Sequence, residues 1–283
     1  MILKKNDTNM RFCSPLRYPG GKAFLASEFE RIVGAIGLIN PVYVEPYAGG
    51  AGAALSLLFF GKVERIVIND LDKSIYAFWK SVTEQSERFA RKIYGNSVTV
   101  AEWEKQKQIY SDKNADTFEK GFATFFLNRT NRSGVMNAGP IGGKEQTGSY
   151  KIDARYNKKD LAARIRKIGR YKNRIEVFNE EGIKLTKRYL DQKNTFIYLD
   201  PYFNKGAMLY LNHYGEGDHK KLANLLNNNA NRHWILTYDW LKRIINLYPD
   251  RIRKQLALKY RVHDSSKVRN AHELMIFSNT TAV

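Results

Sequence analysis

The sequence predicts an α/β fold: a mostly parallel β-sheet with helices on both faces, interrupted by an inserted, mainly helical segment. Three observations carry that prediction. Short β-rich runs recur at 42-VYVEPYAGGAG-52, 63-VERIVIND-70 and 195-TFIYLDPY-202, each ending on small or acidic residues. Apolar residues at helical spacing follow the first two, in AALSLLFFG and in 71-LDKSIYAFWKSV-82. Strand and helix in alternation build a parallel sheet covered on its faces, and in such sheets ligands bind outside the carboxyl ends of the strands.

The remaining elements follow in order. The segment 83–175 breaks the alternation: it is rich in Lys, Arg and Asn, helical in its first half, and loop-like through 128-NRTNRSGVMNAGPIGGKEQTGSY-150. It reads as an insertion into one sheet domain formed by 1–82 and 176–283. Beyond it, 218-DHKKLANLLNNN-229 reads as a helix capped by Asp218, 233-HWILTYD-239 as a strand, and 255-QLALKYRVHD-264 with 272-HELMIFSN-279 as a closing hairpin.

Composition limits the partners. The net charge of +19 over 283 residues exceeds what solubility requires, and such an excess attracts polyanions by counterion release. Nucleic acid leads, ahead of a merely basic surface or an acidic membrane. No apolar run approaches the roughly 18–20 residues of a membrane span, and MILKKNDTNM lacks a signal-peptide core, so a cytoplasmic protein is expected. Cys13 stands alone and no Cys/His cluster has ligand spacing, so neither disulfide nor metal is expected.

The motifs sit at the strand ends. In VYVEPYAGGAG, Glu45 and Pro46 precede glycines 49, 50 and 52, which bring backbone N–H groups at a helix start close to a ligand or simply make a tight turn. Asp70 closes the second run and suits two ribose hydroxyls or a helix cap, with Asp72 competing for either role. In 14-SPLRYPGGK-22 a glycine turn ends on Lys22, suited to a carboxylate or phosphate. The stretch 195-TFIYLDPYFNKG-206 is the sharpest. An exocyclic amine on a nucleobase is a poor nucleophile because its lone pair is delocalised into the ring. A carboxylate such as Asp200 and a carbonyl held by Pro201 would accept its two N–H groups, while an aromatic at 202 or 203 stacks on the base. Reaching that amine requires the base to leave the duplex.

Taken in order, these motifs resemble the Dam-like DNA adenine methyltransferases, over nearly the whole chain. PLRYPGGK is similar to the family's amino-terminal motif, VEPYAGGAG to its cofactor loop and FIYLDPYFNKG to its catalytic DPPY motif, with further matches at 126-FLNRTNRSG-134, 150-YKIDARYNKKDLAARI-165, 237-TYD-239 and 273-ELMIFSN-279. The resemblance implies a Rossmann-like methyltransferase sheet, S-adenosylmethionine as cofactor, double-stranded DNA as substrate, no metal, and an inserted target-recognition subdomain at 83–175. It implies that Tyr18, Lys22, Glu45, Pro46, Gly49, Gly50, Asp70, Glu181 and Asp200 border the cofactor, Lys22 at its carboxylate and Asp70 at its ribose. It makes Asp200, Pro201, Tyr202 and Phe203 the catalytic motif. Arg129, Asn131, Arg132 and Asn137 would contact DNA, with Arg155 and Asn157 either contacting DNA or bracing their loop.

One departure stands out: the family's Asp-Pro-Pro-aromatic is here Asp200-Pro201-Tyr202-Phe203. Either Tyr202 replaces the second proline and Phe203 stacks, or a proline is deleted and Tyr202 stacks; the first keeps the acid-to-aromatic spacing. Alternatives are a catalytically weak DNA-binding homologue, or transfer to a cytosine amine or to RNA. A monomer is favoured.

Overall fold

A computed structural model describes residues 13–17, 21–201, 215–261 and 268–283. Seven strands form one sheet in the order β3-β2-β1-β4-β5-β7-β6. They are β1 (Val42–Glu45), β2 (Arg65–Asn69), β3 (Ile175–Phe178), β4 (Thr195–Leu199), β5 (Trp234–Asp239), β6 (Arg253–Arg261) and β7 (Val268–Phe277). β1 pairs in parallel with β2 and β4, β2 with β3, and β4 with β5; β7 runs antiparallel to both β5 and β6. This is the methyltransferase-type α/β sheet, with the sequence-predicted hairpin closing it.

The central strands are apolar because both of their faces are covered. β1 and β4 are buried along their whole length. Tyr43, Ile66, Ile68, Phe196 and Tyr198 pack on one face with α1 (Ala26–Ala35), α2 (Gly52–Phe59) and α3 (Lys73–Glu84). Val42, Val44, Val67, Ile197 and Leu199 pack on the other with α8 (Gly182–Leu190), α9 (Glu216–Asn228) and α10 (Lys242–Ile245). That two-residue alternation is the strand period expressed as two cores.

Between α3 and β3 the chain forms α4 (Ser86–Gly95), α5 (Val100–Ser111), α6 (Thr117–Thr130) and α7 (Lys158–Arg170). Their Phe89, Phe122, Phe125 and Ile165 join Phe78 and Trp79 of α3 in the first core. The insertion therefore thickens one face of the sheet.

Three details differ from the sequence reading. Asp218 sits inside α9 as the third residue, its carboxylate accepting from Gly215 N–H, and Gly215 is the cap. Asp72 caps α3 by accepting from Ser74 N–H, which frees Asp70 from that role. β3, α7 and α8 form in stretches for which no element was predicted. No helix among the described residues is long and apolar enough to cross a membrane.

Candidate active site

In this strand order β1 feeds toward β2 and β3 on one side while β4 and β5 lie on the other, so the sheet changes direction between β1 and β4. A crevice opens at such a point. Glu45 ends β1 and Asp200 follows β4, and both line a cleft of about 400 Å³. Lys22, Gly50 and Ala51 border the same space, and Arg17, Arg129, Arg155 and Arg164, from the turn before Lys22 and from α6, α7 and the loop between them, line it as well.

Asp200 is held on both oxygens. Oδ1 accepts from the Thr237 hydroxyl at 2.5 Å, and Thr237 in turn shares a 2.7 Å hydrogen bond with the Tyr198 hydroxyl. Oδ2 accepts from Lys22 Nζ at 2.9 Å, and the same ammonium lies 3.2 Å from Glu273 Oε2. The Lys22 side chain is 9% exposed, and a buried ammonium needs anions beside it. Lys22, expected at the cofactor carboxylate, lines the cleft and bridges two protein carboxylates there. Thr237 and Glu273 belonged to quoted motifs without a role of their own.

Glu45 is 4% exposed and its Oε2 has no partner. Burial first, then the charge of Asp200, holds its carboxyl well above the usual range. A buried, unsatisfied acid in a cleft suits an arriving cation.

The loop after β1 is braced from behind. Gly49 and Ala51 both have a φ of 45°. Asp70 Oδ2 accepts from Gly49 N–H at 3.0 Å and Oδ1 from Asp72 N–H at 2.9 Å. Burial is the main cause that raises the Asp70 carboxyl to about 7. Asn69 donates to the carbonyls of Pro46 and Glu180, and Trp79 Nε1 donates to the Gly49 carbonyl. Gly52 opens α2 so near Ala23 that a Cβ would come within 2.9 Å of it, which seats the turn carrying Lys22 against the loop. Glu45 and Gly50 thus line the cleft, and Pro46, Gly49 and Asp70 are tied into the same loop beside them. Glu181 is exposed and caps α8, accepting from Ile183 N–H, away from the cleft lining. Pro201 is buried directly after Asp200. Tyr18, Tyr202 and Phe203 lie outside the described residues.

The residues expected at DNA divide. Asn131 is fully buried, accepts from Trp103 Nε1 at 2.6 Å and donates to the carbonyls of Val135 and Met136. Its amide is spent inside the protein, which removes it from base contact. Asn157 caps α7 by accepting from Asp160 N–H, the bracing alternative. Arg132 and Asn137 are exposed on a short loop whose ends meet at Asn131 and Pro140. Arg129 and Arg155 line the cleft instead. Asn128, which the sequence reading passed over, accepts from Arg17 N–H at 2.7 Å and donates to the carbonyls of Arg17 and Gly134. Gly134 has a φ of 74°, and a Cβ there would fall 2.4 Å from the Arg17 carbonyl oxygen.

The family model for the D12 class N6 adenine-specific DNA methyltransferases matches residues 18–266. The chain belongs to that class. The methyltransferase therefore uses S-adenosylmethionine and methylates adenine in DNA, as its class implies. No curated protein matches it in sequence. Among solved structures, an rRNA methyltransferase, aviRa from Streptomyces viridochromogenes, is 12% identical with a TM-score of 0.42, covering 99% of this chain and 96% of that one.

The cleft fits the cofactor on its own chemistry. S-adenosylmethionine carries a sulfonium and an ammonium, and the cleft offers the orphaned Glu45 oxygen beside Asp200. Its volume is in the range of small-molecule sites.

Proposed function

We propose that the methyltransferase acts on an adenine flipped out of duplex DNA, with Asp200 as the residue that receives the amine. Asp200 accepts one amine N–H, and the carbonyl preceding or within the Pro201 turn accepts the other, which localises the nitrogen lone pair for attack. Thr237 is a positioning residue: its hydroxyl fixes one Asp200 oxygen while Tyr198 fixes Thr237. Each Asp200 oxygen keeps a lone pair beside its bond to Thr237 or Lys22, and one of these accepts the amine N–H while Lys22 stays anchored by Asp200 and Glu273.

Glu45 takes the cofactor ammonium, the backbone of the braced loop borders the methionine moiety, and Asp70 takes the ribose with the lone pairs its backbone bonds leave unused. When bound, the cofactor supplies a methyl group on a sulfonium that carries its own activating charge. As the nitrogen gains the methyl group it turns cationic, and Asp200 stabilises that charge until the surplus proton leaves through its carboxylate. Tyr202 and Phe203 supply the stacking face on the sequence argument alone. Segment 83–175 acts as the target-recognition part, Arg132 and Asn137 meeting the duplex. The enzyme works as a cytoplasmic monomer.

The observation that carries this reading is Asp200 beside Glu45 at the point where the sheet changes direction, in a chain of the adenine-methylating class. Tyr202 in place of the second proline supports a second reading, a homologue that binds DNA with little turnover. Incubation with methyl-labelled S-adenosylmethionine and unmethylated genomic DNA, then nucleoside mass spectrometry, separates the two. Label in N6-methyladenine supports the first; cofactor and DNA binding without label supports the second, and label in methylcytosine sinks the adenine assignment.

A further inference from the structure

The cleft has a basic side that methyl transfer itself does not use. Arg17 precedes the turn carrying Lys22, Arg129 lies in the last turn of α6, Arg155 in the loop before α7, and Arg164 on α7, and all of them line the cleft. Among the described residues their one ion-pair partner is Asp160, 3.0 Å from Arg164 Nη2. Four guanidiniums against one carboxylate leave three positive charges uncompensated. Burial first, then Arg17 and Arg164, push the Arg129 guanidinium down to about 10, as expected for a cation among cations.

This repulsion is built in. Arg129 Nε donates to the Arg155 carbonyl at 2.7 Å, Arg17 Nη1 to the Asn131 carbonyl at 3.3 Å, and Arg164 Nη1 to the Ser14 carbonyl at 3.0 Å. Asn128 fixes the backbone of Arg17 on both its N–H and its C=O. Backbone carbonyls thus hold three of the four guanidiniums, those of Arg17, Arg129 and Arg164, against the mutual repulsion, a cost that a bound anion would offset.

We propose that Arg17, Arg129, Arg155 and Arg164 form a phosphodiester subsite that grips the DNA strand beside the base entering the cleft. It rests on the reading of DNA as substrate. A base against Asp200 brings its own sugar and flanking phosphates to the cleft that these arginines also line. A guanidinium fork matches two phosphate oxygens at once. A single strand carries a charge about every 3.4 Å along the helix axis, so successive phosphates answer several arginines, whereas one cofactor carboxylate leaves most of the charge unanswered. Arginines already oriented by carbonyls lose little side-chain freedom on binding.

The test uses the full chain with Arg155→Gln, Arg164→Gln and the double variant, and with Lys187→Gln on the exposed face of α8 as control. Duplex DNA affinity is measured across a salt series, and S-adenosylhomocysteine affinity by calorimetry. Each arginine variant is expected to weaken DNA binding about 5–20-fold and to flatten the slope of log affinity against log salt by about 0.9 per lost contact. The control keeps the wild-type slope, and S-adenosylhomocysteine binds all variants within about twofold. Loss of S-adenosylhomocysteine affinity with an unchanged salt slope would assign the cluster to the cofactor carboxylate and overturn the proposal. Unchanged binding of both would make it a structural cluster, also overturning it. Wild-type protein that binds no duplex at all would instead sink the DNA reading beneath it.

Discussion

The strand-end and helical linings of the cleft differ in charge and are held in different ways. On the strand-end side, Asp200 and Glu273 share Lys22, and burial holds the Glu45 carboxyl well above its usual range, so little charge is left over before any ligand arrives. On the helical side, four arginines share one acid, and Arg17, Arg129 and Arg164 are kept in place by backbone carbonyls. The sheet side owes its precision to strand ends fixed by a buried ladder; the helical side owes its arrangement to polar clamps such as Asn128. A reaction centre needs fixed geometry, while a strand-gripping surface needs surplus charge, and the fold supplies each from a different kind of element.

Asn128→Ala tests the clamp and carries the largest expected effect on stability. It leaves the N–H and C=O of Arg17 and the Gly134 carbonyl without their side-chain partner. Loss of these part-buried bonds should cost about 3 kcal/mol of stability in urea unfolding, and weaken DNA binding far more than cofactor binding. Equal losses at both ligands would erase the distinction between the two sides.

Glu45→Gln probes the other side. Removing a charge-assisted hydrogen bond should weaken S-adenosylmethionine binding by about 2 kcal/mol, roughly 30-fold. Because the wild-type carboxyl must lose a proton to meet a cation, wild-type affinity should rise with pH, and the variant should lose that rise in calorimetry. A variant that keeps the wild-type pH dependence would remove Glu45 from the ammonium.

Asp70→Asn carries the smallest effect. The folded Asp70 carboxyl, raised to about 7, holds its proton where the unfolded chain has already lost it. That contribution to stability declines as pH climbs from about 4 to about 7. Between pH 6 and pH 8 the stability difference should therefore move toward Asp70→Asn by about 1–2 kcal/mol in denaturant titrations. A difference independent of pH would show that Asp70 is ionised throughout.

Legibility follows the same division. β1, β2, β4 and β5 were readable because strands buried on both faces are continuous apolar runs. β3 was not: it is an edge strand of Ile175–Phe178, only partly buried, with Glu176 in its middle. α7 carried a signal that went unused, Leu161, Ala162, Ile165 and Ile168 at helical spacing behind the Asn157 cap. At the site, Glu45 and Asp200 were legible because chemistry and strand position coincide. The protein partners of Lys22 were not legible, because sequence shows a lysine on a turn whereas Asp200 and Glu273 lie far along the chain. Asn131 misled because an Asn beside arginines has the same letters whether it meets a base or Trp103. Arg17 and Arg164 are brought to the cleft only by tertiary contacts with Asn131 and Ser14.

The most direct test is single-turnover methyl transfer by Asp200→Asn, with cofactor and DNA saturating and both dissociation constants measured beside it. The division of labour predicts a rate at least about 1,000-fold below wild type, a barrier increase of about 4 kcal/mol, with both dissociation constants within about threefold. Transfer within tenfold of wild type, or a lost cofactor site in the variant, would contradict Asp200 as the group that receives the amine.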